Sequence, residues 1–326
     1  MKKTYFSTFL PGLEKPVEAM LRREGGVAVE RVVPGAAIYR SVREPSFAYM
    51  RQTFALLFTM KPMASVDDAV KRLISTGGWL DRFPYEGTQG LRFRVVTAFG
   101  DRLVSANMRF VDMLERAICD ATGMRTQREK PEVELWVLCR PEGSYFLWRL
   151  GKKPAVKQEG QLRADVCSVV AFLSQAGAKN AAVLGCTGAN LPAALAAGGS
   201  CVTCVCPTAA AARAVNRGTQ GLATPVRVSE GSAGHTALAD ASQSAVVLYL
   251  PSGERSAVSE DELRGALYEA RRILRGDGRA IVVAPLSQAQ AVLARARGFD
   301  ALARYPLTLG GEPCAIWLLE PAQDDE

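Results

Sequence analysis

Residues 181–216 alternate in a pattern that few folds accommodate. The apolar run Ala181-Ala182-Val183-Leu184 is the length of a strand buried on both faces, and it leads into the turn Gly185-Cys186-Thr187-Gly188. A helix-like stretch, Leu191–Ala197, follows. A second apolar run, Cys201–Cys206, then leads into another helix-like stretch ending near Asn216. Strand, glycine turn, helix, strand, helix is the layout that aims a phosphate or adenosyl group at a helix start. Such a unit normally carries a carboxylate at the tip of its second strand to hold a ribose. Cys206-Pro207 stands there instead.

The 326 residues suffice for about two domains. With 48% hydrophobic and 22% charged residues, the composition is that of a globular chain rather than a disordered one. No apolar run approaches the roughly 18 residues of a membrane span, so no membrane partner is expected. Met1-Lys2-Lys3 and the following Thr4–Leu10 make a poor signal peptide, because Pro11, Gly12 and Glu14 interrupt it and no small-residue cleavage site follows. A cytoplasmic protein is therefore expected, with its eight cysteines as free thiols. Cys201, Cys204 and Cys206 invite a metal reading. One strand would point Cys204 and Cys206 one way and Cys201 the other, and no second ligand pair or nearby His is visible. They read as small apolar strand residues, and no metal is expected. The net charge of +7 lies wholly in the first half of the chain, residues 1–160, while the second half is close to neutral. A polyanion docking on the first half would gain from counterion release, although a solvated basic surface has the same composition.

In the first half, Lys3–Phe9 reads as a strand and Leu13–Glu24 as a helix stopped by Gly25-Gly26. Val27–Val33 and Ala36–Ser41 read as strands around a Pro34-Gly35 turn, while Ala48–Leu57 is apolar and mixed. Val66–Ile74 reads as a helix capped by Ser65. Leu91–Thr97 is strand-like, and a helix from about Ser105 to Thr122 ends at Gly123. Glu132–Cys139 and Ser144–Leu150 close the half as strands joined by Pro141-Glu142-Gly143. Gly151–Glu159 is polar, lysine-rich and reads as a domain boundary. Beyond it, a helical stripe from Leu162 to Leu173 leads into the glycine turn. Strands are expected at Val226–Val228, Ala245–Leu250, Arg279–Ala284, Ala301–Leu307 and Ala315–Glu320, with helices at Glu260–Leu274 and Ser287–Arg297. This alternation predicts an α/β fold with a mostly parallel, doubly wound sheet.

Two stretches now resemble one family. Phe93-Arg94-Val95, the long helix, Gly123, then Glu129-Lys130-Pro131-Glu132-Val133-Glu134 and a strand pair look like a THUMP domain. Ahead of it, Phe9-Leu10-Pro11-Gly12-Leu13-Glu14 is similar to the opening of the ferredoxin-like domain that precedes THUMP in RNA methyltransferases. Behind it, Glu159-Gly160-Gln161-Leu162-Arg163 resembles the helix start that introduces their catalytic domain. The resemblance covers nearly the whole chain as an order of domains. It implies a ferredoxin-like domain over 1–62, a THUMP-like RNA-binding domain over 63–150, a linker over 151–160, and a Rossmann-like methyltransferase domain over 161–321. It further implies that the front half grips tRNA or structured rRNA. The back half would bind S-adenosylmethionine and methylate a base, commonly the exocyclic amine of guanosine. Arg94, Arg109, Arg125, Arg128 and Lys130 fall on the THUMP-like motif and are the candidate RNA contacts.

Four positions depart from that family. Gly185-Cys186-Thr187-Gly188 keeps two of three closely spaced glycines. Cys206 replaces the ribose-binding acid, although Asn216 fits the family's asparagine further along. Ser232 stands where a second acid contacts the adenine amine. The catalytic motif is Asn or Asp, Pro-Pro and an aromatic residue, the acceptor of the target amine and a ring that stacks on the flipped base. Here it reads Leu250-Pro251-Ser252 after Tyr249. Gly185, Cys186, Gly188, Cys206 and Ser232 are thus the candidate cofactor residues. Each lost hydrogen-bond partner costs about 1–3 kcal/mol, so three or four losses would weaken S-adenosylmethionine binding by several orders of magnitude.

Other chemistry is thin. His235 is the only histidine and has no nucleophile beside it, Asp240 reads as a cap or surface residue, and Tyr249 reads as core. Three functions stay open. One is an RNA-binding protein with a methyltransferase-like domain of reduced or lost activity. Another is an active RNA methyltransferase with a divergent pocket, and the third is a small-molecule Rossmann enzyme using another nucleotide cofactor.

Overall fold

The computed structural model describes residues 2–151, 161–175, 179–250, 259–294 and 298–322. It divides into two units. Met1–Thr8, Glu24–Ser46 and Gln52–Pro154 form the first; Phe9–Arg23, Phe47–Arg51 and Ala155–Glu326 form the second.

The first unit holds β1 (Lys3–Thr8) and, after the helix α1 (Glu14–Arg23) that belongs to the second unit, β2 (Val27–Val33), β3 (Ala36–Ser41) and β4 (Gln52–Met60). It continues with α2 (Val66–Thr76), β5 (Arg92–Phe99), β6 (Arg102–Leu103), α3 (Met108–Thr122), β7 (Arg125–Thr126), β8 (Val133–Arg140) and β9 (Gly143–Leu150). The strands join in the order β2-β3-β1-β4-β9-β8-β5-β6, with β7 against β5. All pairings are antiparallel except β5 with β7 and β8.

Alternation along β8 sorts the two faces of this sheet. Leu135, Val137 and Cys139 turn to the side of α2 and α3, where they meet Phe93, Leu114, Ile118 and Phe146 in one core. Glu134, Trp136 and Leu138 turn the other way, where Trp136 and Leu138 join Phe6, Phe54 and Tyr145. Two contacts tie the β2–β3 turn region to the β8–β9 turn: Arg140 donates to the Pro34 carbonyl, and Arg31 Nη1 donates to the Glu142 carbonyl at 3.4 Å. Ser65 caps α2 as the sequence predicts, accepting from the Asp68 amide at 3.1 Å. The cap of α3 is Asn107, two residues past the predicted start. The two-residue strands β6 and β7 have no counterpart in the sequence pattern.

The second unit continues with α4 (Ala164–Ser174), β10 (Asn180–Leu184), α5 (Asn190–Ala197), β11 (Cys201–Cys206), α6 (Ala209–Thr219), β12 (Val226–Glu230) and β13 (Gln243–Tyr249). It ends with α7 (Glu260–Ile273), β14 (Leu274–Pro285), α8 (Leu286–Leu293), β15 (Phe299–Leu309) and β16 (Glu312–Pro321). The predicted helix over 287–297 thus spans Leu286–Leu293, and residues 295–297 lie outside the described ones. The seven strands order as β12-β11-β10-β13-β14-β16-β15. The first five run parallel, while β16 is antiparallel to both β14 and β15. This is the doubly wound, Rossmann-like sheet expected from the alternation, with an antiparallel strand near one edge. Its central strands are apolar on both faces: Val246, Leu248, Ala280, Val282 and Trp317 line one side against Leu263, Leu267 and Ala270 of α7. Among the described residues, no helix is long and apolar enough to cross a membrane.

Phe9–Arg23 packs within this second unit. Phe9, Leu10 and Leu13 are buried, and Arg23 lies over the Phe172 ring at 4.7 Å from its centroid. Gly12 makes the approach feasible. Its φ of +97° is left-handed, its amide donates to Glu14 Oε1 at 3.0 Å, and a Cβ there would collide with the Pro306 carbonyl of β15. Gly12→Ala therefore has both a strained backbone and an immovable neighbour. It is expected to lower unfolding free energy by about 3 kcal/mol in chemical denaturation. Gly276→Ala, where a Cβ meets open space, is the control and should be near neutral.

Candidate functional site

Strand order reverses between β10 and β13: the chain moves outward from β10 through β11 to β12, then returns to β13 on the other side. In such sheets the crevice lies beyond the carboxyl ends of the strands at that reversal. Gly185, with φ +71°, turns the chain there, and the Cys186 amide donates to the Val205 carbonyl at 3.0 Å. The tip of β11 and the loop after it are tied by the Gly231 amide donating to the Cys206 carbonyl at 2.9 Å. The structure thus brings Gly185, Cys186, Gly188 and Cys206 together at one edge.

The crevice beside the glycine turn encloses about 250 Å³ including its open mouth. Gln161, Leu162, Cys186, Gly188, Asn190 and Tyr249 are among its lining residues, and none of the described lining residues is acidic or basic. Gln161 takes up part of the room: a Cβ on Gly188 would fall 2.6 Å from Gln161 Cγ and 2.7 Å from its Cδ. The second glycine of the turn therefore accommodates the chain's own Gln161. Asn190, first residue of α5, donates through Nδ2 to the Leu162 carbonyl at 2.9 Å and so ties the start of α5 to the segment preceding α4.

Three thiols meet where a carboxylate is expected. Cys186 is in hydrogen-bonding contact with Cys204 and Cys206, and its Sγ also lies 3.4 Å from the Gly188 carbonyl. The contact with Cys204 and burial push the Cys186 thiol up against a lowering contact with Cys206; the contact with Cys186, and then burial, push Cys206 up. Both therefore stay protonated and neutral at pH 7. A neutral thiol is a weak acceptor and supplies no charge, so it does not replace a ribose-binding carboxylate. Burial also pushes the Tyr249 hydroxyl up to about 12. Leu250 is buried in the core between β13 and α7, and Pro251 and Ser252 lie outside the described residues. Among the described residues, no group of three His, Cys, Asp or Glu side chains is arranged to hold a metal ion.

Ser232 is exposed and folds back on its own loop, accepting from the Gly234 amide at 3.2 Å and pairing with His235 across a bridge. A clamp that sequence reasoning missed fixes this loop. Glu269 of α7, almost fully buried, accepts from the Thr236 amide at 2.7 Å and the Thr236 hydroxyl at 2.6 Å. Arg272 donates twice to Glu269, at 2.6 and 2.8 Å, and also grips Asp240 and the Leu238 carbonyl. The spacing Glu269-x-x-Arg272 was the available signal. It was hidden because it reads equally as a surface pair.

The candidate RNA contacts fall into two places. Arg94 and Arg125 lie on the sheet face opposite α2 and α3; Arg94 donates to Glu134, and Arg125 stands in register with Arg92. Arg109 is exposed in the first turn of α3. Arg128 reaches the same end of that helix, its Nη2 3.4 Å from Met108 Sδ. Lys130 is exposed with a left-handed φ of +47° just before Pro131.

No protein-family model matches the chain, and no curated protein matches it in sequence. Solved structures do. TrmN from Thermus thermophilus superposes with a TM-score of 0.76 at 17% identity, over 98% of this chain and 99% of TrmN. A possible methylase from Clostridium difficile 630 gives 0.74 at 12% identity over the full length of both chains. SMU.472, solved in complex with SAH, gives 0.71 at 11% identity over 99% of this chain and 100% of its own. At these identities the likeness is one of fold, and the fold is methyltransferase-like along nearly the whole chain.

The clamp carries a pH signature. Hydrogen bonds from Arg272 foremost, then from Thr236, hold the Glu269 carboxyl at about 2 against an ordinary 4.5, with burial opposing them. A depressed acid contributes stability above its unfolded value, and that contribution drains away as pH falls from about 4.5 towards 2. Glu269→Gln should melt about 4 °C lower than the parent at pH 7, and the gap should close progressively across that acid window. A gap that stays constant with pH would show that the charge on Glu269 is not what ties the loop.

Proposed function

We propose that this chain is an RNA-binding protein of the THUMP methyltransferase type, acting on tRNA or structured rRNA, whose methyltransferase-like unit has reduced or lost activity. On this reading residues 1–62 are ferredoxin-like, 63–150 THUMP-like, 151–160 a linker and 161–321 the methyltransferase-like domain. The methyltransferase-like fold and the domain-order resemblance support the family reading. The excess basic charge of the first half supports the RNA.

The crevice carries the reading on activity. S-adenosylmethionine presents a sulfonium, two ribose hydroxyls and an adenine amine. The crevice lining offers the neutral thiol of Cys186 and Gln161 laid over Gly188, while Cys206 ends the neighbouring strand as a second neutral thiol and Ser232 lies exposed on its own loop. Among the described residues these groups do not fit the cofactor: no carboxylate stands at the tip of β11 to hold a ribose, and Gln161 takes up room beside Gly188. The bound SAH in SMU.472 belongs to that protein and marks the ligand against which this crevice is to be tested.

Isothermal calorimetry with S-adenosylmethionine is expected to give no measurable heat at micromolar protein, and a micromolar Kd would overturn the reading. Labelled methyl transfer to tRNA and rRNA from cells lacking the gene is expected to be absent. Transfer to either would establish the active, divergent enzyme instead.

The RNA side has its own test. Replacing Arg109, Arg128 and Lys130 together by Ala should weaken RNA binding and lower its salt dependence by about one unit of slope for each phosphate no longer neutralised. An unchanged slope would place the RNA elsewhere.

A further inference from the structure

A buried ion cluster in the first unit is out of balance. Arg94 on β5, Glu134 on β8 and Arg149 on β9 stand side by side in the sheet, since Arg94 is in register with Glu134 and Leu135 with Trp148. Arg149 Nη1 donates to Glu134 Oε2 at 2.6 Å, Arg94 Nη2 donates to Oε1, and Trp136 Nε1 donates to Oε2 at 3.3 Å. Glu134 thereby accepts three hydrogen bonds, and although burial pushes its carboxyl up, the bonds from Arg149 and Arg94 hold it below the ordinary range. Among the described residues the two guanidiniums share one carboxylate, which leaves one positive charge uncompensated there. It is not left in open water: the Arg149 side chain is 7% exposed and that of Arg94 34%. Each arginine spends a single nitrogen on Glu134, and Arg94 Nε is a buried donor that no acceptor among the described residues reaches.

Leaving a partly desolvated charge unmatched is costly, and guanidiniums with unused N–H edges satisfy it best with a tetrahedral oxyanion. Arg92 and Arg125 lie beside Arg94 on the same face; Arg92 is paired with Glu132 and both arginines are exposed, so the cationic side opens towards β5 and β7. We infer that Arg94 and Arg149 form a phosphate-binding site on the sheet face opposite α2 and α3. The phosphate comes either from an RNA backbone or from free phosphate. Its RNA source rests on the function proposed above, whereas the site itself does not.

Thermal melting in 50 mM sodium phosphate, against sodium chloride of equal ionic strength, tests the site. Phosphate should raise the melting temperature of the intact chain by about 2 °C more than chloride. Arg94→Gln, at the more exposed end of the cluster, should abolish the difference. Arg116→Gln, an exposed arginine on α3 with no assigned contact among the described residues, should retain it. Arg149→Gln should behave as Arg94→Gln if it folds, and Arg94→Gln decides alone if it does not. No phosphate preference in the parent, or an undiminished one in Arg94→Gln, would overturn the site. A second arm titrates a labelled RNA hairpin. An affinity loss of about tenfold in Arg94→Gln assigns the phosphate to the RNA backbone. Unchanged RNA affinity beside a lost phosphate effect assigns it to free phosphate, and the RNA reading then stands or falls with Arg109, Arg128 and Lys130.

Discussion

Parallel pairing of β10 with β11 on one side and β13 on the other fixes everything that happens in the second unit's crevice. Because Leu184 is in register with both Val205 and Leu248, the turn at Gly185 must emerge between the ends of two strands that diverge in chain order. The side chains at those ends border that turn. The residues occupying that edge therefore decide between a ligand site and an extension of the core, while the backbone permits both. Here the edge holds Cys186, Cys206 and Leu250, all buried, and the core runs out to it.

That choice has an electrostatic logic. A crevice built for a ribose and an adenine amine gathers carboxylates whose desolvation is offset only when the ligand arrives. Thiols and a leucine carry no such penalty. They pack as apolar groups, and mutual contact with burial keeps the thiols neutral. The clamp of Glu269 and Arg272 shows the opposite solution in the same unit. A carboxylate is retained there, buried, because a guanidinium, an amide and a hydroxyl converge on it.

Much of the fold was legible because periodicity and local capping do not depend on tertiary context. Val27–Val33, Ala36–Ser41 and Cys201–Cys206 are strands with the bounds their apolar pattern predicts, and Ser65 caps the helix it precedes. The two-residue strands β6 and β7 carry too few residues for any period to register. Association of Phe9–Arg23 with the second unit was equally hidden, since it depends on Gly12 meeting a carbonyl almost three hundred residues later. The departures at Cys206, Ser232 and Leu250 were readable as residue identities. What was not readable is that Gln161 lies over Gly188, or that Cys186 joins the thiols of the next strand: both follow from proximity across a turn.

Conformational demand and ligand demand separate cleanly at the glycine turn. Gly185 needs its left-handed φ whatever the crevice binds, because β10 must reverse there to start α5. A Cβ on it would meet the Tyr249 carbonyl only at ordinary contact distance, 3.7 Å, so backbone conformation rather than space restricts the position. Gly188 is the reverse case: space restricts it, and the occupant of that space is Gln161. A glycine kept for the turn persists even if the ligand is lost. A glycine kept for a cofactor's close approach persists only if something else comes to need the room. On the proposed reading, Gln161 is that occupant, which explains how a nucleotide-binding outline survives in the sequence after its acceptors have gone.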